Sequence, residues 1–306
     1  MVSNVGDRAV LRLIVLGAGA LVVPTIGLAS GGENVLSWEP RPVLTVVIVA
    51  SALFYGRGVI ALWRKAGVGH GLHVAHVVRF ALGWLTLAVV LLSPFETLAD
   101  GSFALHMIQH EALIVVAAPL LALSRPLEAW AWGFPSWATR TLGVAARPAA
   151  VRRCWRSLTD PVHAWCLHAL ALWVWHIPLL FDAALAHEAL HVLQHTSFLG
   201  TALAFWWALS PRSGRAPDGT TIACLFTTML HTSALGALLT VAPSVWYGYE
   251  GPAMLGLSAL EDQQLGGLVM WVPGSLPYLV AGLAVVRAWL SPARKHRTSP
   301  TFQSGH

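Results

Sequence analysis

Eight stretches of this sequence stay apolar for about twenty residues each, and that feature restricts the fold more than any other. They lie at 10–29, 42–62, 77–94, 104–124, 162–181, 190–210, 219–242 and 265–288. A helix needs roughly 20 such residues to cross the hydrocarbon layer of a bilayer. Inside that layer only helices and closed barrels satisfy every backbone group. The expected fold is an all-α integral membrane protein, a bundle of about eight transmembrane helices. Charge content agrees: 11% of residues are charged, against about 25% in soluble domains. The first stretch has a second reading. Arg8 and Arg12 precede it and it ends Gly27-Leu28-Ala29-Ser30, as a cleaved signal would, but its length favours a retained span.

Net charge is +5. In a soluble chain that would raise nucleic-acid binding. Here no basic run with interleaved aromatics occurs outside the loops between spans, so no nucleic-acid partner is expected. The basic residues instead set the orientation. With the N-terminus in the cytoplasm, seventeen of the nineteen fall on the cytoplasmic side, and only Arg41 and Arg79 fall elsewhere. Eight spans, N-in and C-in, follow. Residues 1–290 read as one polytopic domain and 291–306 as a basic cytoplasmic tail containing Arg294-Lys295-His296-Arg297. The loop between spans four and five carries Trp130, Trp132 and Trp137 beside its arginines. It reads equally as a helix lying on the membrane surface and as a loop with interfacial anchors.

Three cysteines, Cys154, Cys166 and Cys224, form no CxxC or CxxCH. Attachment of a c-type haem and a disulfide framework are excluded, and a soft-metal site would have to use His and Met. Polar residues inside lipid are costly and mark function, and this chain has fourteen histidines. The orientation places His70, His73, His76, His163, His168, His296 and His306 on the cytoplasmic side or in the tail. The other seven, His106, His110, His176, His187, His191, His195 and His231, sit at or project toward the outside.

Span four enters through His106-Met107-Ile108-Gln109-His110-Glu111, and span six through His187-Glu188-Ala189-Leu190-His191-Val192-Leu193-Gln194-His195. Each presents histidines at i, i+4, on one helix face and about 6 Å apart along the axis. A single HxxxH is more often a pair of capping or interfacial histidines. Two pairs on outward-facing helix ends, with His176 ending span five and His231 in the middle of span seven, point instead to one metal site. Imidazole suits copper, zinc, iron and nickel, and a Met107 thioether would favour Cu(I), although a lone methionine is more often packing. Glu111, Glu188, Asp262 and Gln263 are candidates to orient the rings from behind. His168 reads as an interhelical hydrogen-bond partner, and the HGLHVAH run at 70–76 as interfacial.

No HExxH, GxSxG, P-loop or dinucleotide fingerprint stands in a usable context, and no nucleophile–base pair can be assembled, so no catalysis is expected. The last outer loop, Ala242 to Gly266, holds Trp246, Tyr247 and Tyr249. It could cover the histidines, dock a partner or form an aromatic belt. Gly266-Gly267, Pro273 and Pro277 permit a kink or close helix approach in span eight.

Several of these stretches together resemble the polytopic cytochrome c oxidase assembly factor CtaG family of bacteria. They are His106 to His110 followed by Ala118-Pro119-Leu120-Leu121-Ala122-Leu123, then Trp175-His176-Ile177-Pro178, then His191 through Phe198. Phe205-Trp206-Trp207 and Asp262-Gln263-Gln264-Leu265-Gly266-Gly267, leading to Met270-Trp271-Val272-Pro273-Gly274, complete the set. The likeness covers roughly residues 40 to 290 and differs from the single-span periplasmic copper chaperone of the same name. Gln194 stands before His195 where an acidic residue would be expected. The resemblance implies a multi-pass protein of the bacterial cell membrane that matures haem–copper oxidase. Its partners would be cytochrome c oxidase subunits and a periplasmic or extracellular copper chaperone. Joined to the histidine reading, it gives a metallochaperone that holds copper, Cu(I) favoured, at the outer face. Two alternatives stand beside it: a b-type haem electron-transfer protein with bis-His ligation from spans four and six, and a metal or proton transporter with His231 and His168 as relay points.

Overall fold

Long apolar stretches punctuated by proline and glycine give helices with abrupt ends, and the computed structural model shows them in residues 41–210, 218–249 and 255–290. The first apolar stretch, Arg8, Arg12, Arg212, Arg215 and the basic tail lie outside the described residues. Helix α1 spans Pro42–Ala66 and α2 Val74–Leu92. A short α3, Phe95–Asp100, leads into α4, Phe103–Leu123. Three short helices follow, α5 (Pro126–Gly133), α6 (Ser136–Ala145) and α7 (Ala149–Leu158). Then come α8 (Pro161–Trp175), α9 (Pro178–Ala186) and α10 (Glu188–Leu209). The last three are α11 (Gly219–Thr240), α12 (Ala259–Trp271) and α13 (Leu276–Leu290).

Among the described residues, five stretches are long and apolar enough to cross a membrane: α1, α2, α4, α11 and the α12–α13 pair. The α8–α9 pair makes a sixth if counted as one bent span. The multi-pass, all-helical character expected from the sequence is present, while the described residues supply fewer than eight spans. Helix α10 has the length, but His191, Gln194, His195 and Thr201 dilute its apolar content. The stretch expected as a straight fifth span turns instead by 76° between α8 and α9. The break falls where Ile177 takes an extended conformation (ψ 124°) before Pro178, since a residue preceding proline is pushed out of the helical region. The eighth stretch is likewise interrupted, at 272–275.

The topology gives the bundle two unlike ends. The histidine end carries the starts of α4, α10 and α12 and the loop after α11. The arginine end carries α5, α6 and α7 with Arg125, Arg140, Arg147, Arg152, Arg153 and Arg156, along with Arg64 and Lys65 of α1. Arg79 falls in the second turn of α2. It therefore joins the arginine end, where the sequence reading had set it apart. Arg41 is the described basic residue at the histidine end.

Helix α4 runs through the centre, against α2, α10 and α12. A π turn at Ala112–Ala117 interrupts it. Trp206 Nε1 donates to the Ile114 carbonyl inside that turn (2.9 Å), satisfying a backbone group which the irregular winding leaves free. Helices α11 and α12 cross at Gly236 and Gly267. A Cβ on Gly267 would stand 2.6 Å from Thr240 N and 2.7 Å from Gly236 O, so only glycine permits this approach. The Trp-bearing segment at the arginine end forms short helices with brief breaks between them. Helix α5 packs on α1, with the Trp130 indole donating to Ser51 O (2.9 Å), whereas α6 and α7 bury no residue.

Candidate metal centre

The i, i+4 spacing places His106 and His110 on one face of α4, and His191 and His195 on one face of α10. The structure turns those faces toward each other. His106 Nε2 lies 2.9 Å from His110 Nε2, and His191 Nε2 3.2 Å from His195 Nε2. Across the helices, the ring centres of His106 lie 5.3 Å from His191 and 5.8 Å from His195. His110 and His195 are 5.0 Å apart. One ring nitrogen from each of His106, His191 and His195 lies within 4.8 Å of the others. Two nitrogens bound to one tetrahedral ion at about 2.0–2.1 Å stand roughly 3.3 Å apart, so the spacing within the pairs already suits an ion. All four rings are buried.

His176 ends α8 on the rim of this cluster, its ring 6.5 Å from that of His110. Its Nδ1 meets Leu172 O at 2.7 Å and its buried Nε2 has no hydrogen-bond partner among the described residues. The other candidates go elsewhere. His187 is exposed at the start of α10. His231 lies beside Trp165 (6.2 Å between ring centres), with both nitrogens buried and unpartnered among the described residues. Met107 is fully buried and packs in an apolar cluster with Phe103, Phe181 and Leu235. His168 is the interhelical partner expected of it, with Nδ1 3.1 Å from Thr201 Oγ1 and Nε2 3.5 Å from Tyr278 OH.

Two of the polar residues expected behind the rings, Asp262 and Gln263, hold elements instead. Among the described residues none of Glu111, Glu188, Asp262 and Gln263 hydrogen-bonds an imidazole. Asp262 accepts from Ser102 Oγ (2.8 Å), Phe103 N (2.7 Å) and Ala104 N (3.2 Å). It thereby fastens the first turn of α4 to α12, a negative charge at a helix N-terminus. Gln263 accepts from Trp246 N (2.6 Å) and donates to Ser244 O (3.2 Å), pinning the loop after α11. Glu111 lies against Gly274, where a Cβ would stand 2.7 Å from its Oε2. Glu188 is exposed in the first turn of α10.

Of the three roles the sequence left open for the last outer loop, covering the histidines is the one its contacts support; what sequence reasoning missed is the residues that hold it there. The loop at 241–249 lies over the cluster. Tyr247 stacks on Phe103 (4.9 Å) and its hydroxyl donates to His176 O (2.9 Å). Tyr249 stands edge-on to His106 (6.2 Å). Burial pushes both phenols above their ordinary range, so they stay neutral. Asp182 of α9 accepts from Gly248 N (3.0 Å), which makes the bend at Pro178 the device that brings a carboxylate under this loop. Arg41 was also missed; it pairs with buried Glu96 near the cluster. Neither residue carries a local sequence signal for these contacts.

Residues 53–291 match the family described as Cytochrome c oxidase caa3 assembly factor (Caa3_CtaG). The chain belongs to this family. Among curated proteins it is similar to two uncharacterized mycobacterial proteins, Mb0105 of Mycobacterium bovis and MT0111 of Mycobacterium tuberculosis. It is 25% identical to each over 286 residues, 88% of this chain and 41% of theirs. The chain thus spans about two fifths of the length of these relatives. No solved structure matches it. The family match contains all four clustered histidines, the Asp262 clamp and the 241–249 loop.

Proposed function

We propose that this assembly factor carries copper as cargo on His106, His191 and His195, with His110 beside them, and hands it to an apo subunit of cytochrome c oxidase at the outer membrane face. The observation carrying this reading is the meeting of three buried ring nitrogens within 4.8 Å in a chain of an oxidase assembly family. Imidazoles without an anionic ligand suit Cu(I). The Nδ1 atoms of His106 and His110 have no hydrogen-bond partner among the described residues. Resident metal sites raise ligand basicity with just such a partner, so its lack fits an ion held for release. The haem alternative has less support, because rings centred 4.2–5.8 Å apart pack on each other and leave no slot for a macrocycle. Transport would need a further path, and His168 and His231 lie outside the cluster.

The test is the double substitution His106→Ala with His191→Ala. Lipid and packing hold the helices, so the protein should remain in the membrane at its normal level. Copper retained by the purified protein and oxidase activity of the cells should both fall. Added copper should restore part of the activity by mass action. A stable double variant that keeps its copper and full oxidase activity defeats the proposal.

A further inference from the structure

Between α2 and α10, at the arginine end, the bundle leaves a cleft of about 610 Å³. Its walls are apolar: Phe80 and Trp84 on α2, Gly200 and Leu203 on α10, Leu127 on α5 and Trp155 on α7. A second hollow of about 810 Å³ opens beside it, lined by Leu127 and Trp155 again and by Arg152 and Arg156. Leu127 and Trp155 line both, so the two adjoin, and the apolar slot borders a basic rim.

The rim is built by α7. Its sequence, Ala149-Ala150-Val151-Arg152-Arg153-Cys154-Trp155-Arg156-Ser157-Leu158, sets arginines on one side and Val151, Trp155 and Leu158 on the other. That is the pattern of a helix lying in the membrane surface. Trp155 anchors it to the bundle, edge-on to Trp207 of α10 at 6.1 Å. Arg152 donates to Arg147 O and Arg156 Nε donates to Arg152 O (3.2 Å). Among the described residues no carboxylate pairs with Arg152, Arg153 or Arg156. Guanidinium groups held beside each other without an acid are suited to a phosphate, which they bind in a bidentate manner.

We propose that the cleft and its rim bind one anionic phospholipid of the leaflet at the arginine end, an acyl chain lying along Gly200 and Leu203 and the phosphate meeting Arg152 and Arg156. A lipid is the occupant whose chemistry changes from apolar to anionic over this distance, as the site does. Its phosphate would fix α7 against the bundle, at the end opposite to the histidines.

The test uses the full chain in detergent, offered phosphatidylglycerol or phosphatidylcholine with identical acyl chains, and counts retained lipids by native mass spectrometry. The wild type should hold one phosphatidylglycerol with a preference on the order of thirtyfold over phosphatidylcholine, given two arginines at about 1 kcal/mol each near a lipid surface. The pair R152Q and R156Q should lose that preference, while R140Q should keep it. G200F should reduce retention of both lipids, since a Cβ at Gly200 meets nothing within 4 Å and the ring has the cleft to enter. If G200F does not stay monodisperse, chain-brominated lipids on the wild type serve instead: phosphatidylglycerol should quench tryptophan fluorescence more than phosphatidylcholine at equal mole fraction. Equal retention and equal quenching of the two lipids overturn the proposal. So does an undiminished preference in the arginine variant, or an isoprenoid quinone or haem retained in the phospholipid's place.

Discussion

At the scale of single residues, Glu96 shows how the fold sets a charge near the histidine cluster. Its carboxyl is raised from an ordinary 4.5 to about 7, chiefly by burial; Arg41 works against the rise, and Asp100 and Glu188 add to it. A carboxyl raised in the fold binds more protons folded than unfolded between these values. Stability from this group is therefore full below about pH 4.5 and is lost as pH rises through about 7. Thermal melts of the wild type should decline across that window, and E96Q should flatten the profile; an unchanged slope in E96Q would place the titration elsewhere. Asp262 makes a second case. D262A removes a cap accepting three hydrogen bonds, which should cost about 1–2 kcal/mol, read as a lowered melting temperature. It should also weaken copper retention, because His106 sits on the turn which Asp262 fastens. The four clustered rings were legible in the sequence, since i, i+4 spacing fixes a helix face. The clamp was not, because Asp262 acts on residues some 160 positions earlier and nothing in either segment records the partner.

At the scale of elements, periodicity and proline placement did most of the work, and backbone irregularities escaped it. The apolar stretches at 42–62, 77–94 and 219–242 became α1, α2 and α11 with small shifts of their ends. The π turn in α4 has no signature in Ala112-Leu113-Ile114-Val115-Val116-Ala117; it depends on Trp206 reaching a carbonyl from α10. The bend at Pro178 had its proline in view, yet an apolar count runs straight through Ile177-Pro178-Leu179. The pair Gly266-Gly267 announced close approach, and the structure divides the labour: Gly266 faces Phe103 and Met107, while Gly267 meets the α11 backbone. G267A should thus destabilise by about 1–3 kcal/mol, as overpacking against an unyielding backbone does. G282A in α13, where a Cβ meets nothing within 4 Å, should be silent. Melting temperatures of the two purified variants compare them directly, and equal values would mean that the crossing tolerates a side chain.

At the scale of the whole molecule, charge is divided between the two ends more sharply than sequence position alone implied, because Arg79 moved to the basic side. The histidine end gathers Glu96, Asp100, Asp182, Glu188, Glu261 and Asp262, with Arg41 among them; the arginine end carries α5 to α7. Basic segments stay on the cytoplasmic side during insertion, so the histidine end should face outward, where an oxidase copper subunit could be loaded. Native Cys154 offers a direct test, being exposed on α7. In a chain with C166S and C224S, a membrane-impermeant maleimide should fail to label Cys154 in intact cells and should label it once the membrane is opened. Replacing Cys154 as well and adding A189C, at an exposed site in the first turn of α10, should reverse the pattern, with labelling in intact cells. Labelling of Cys154 from outside, with A189C protected, would invert the bundle. The histidines would then open to the cytoplasm, and delivery to an external oxidase domain would have no route.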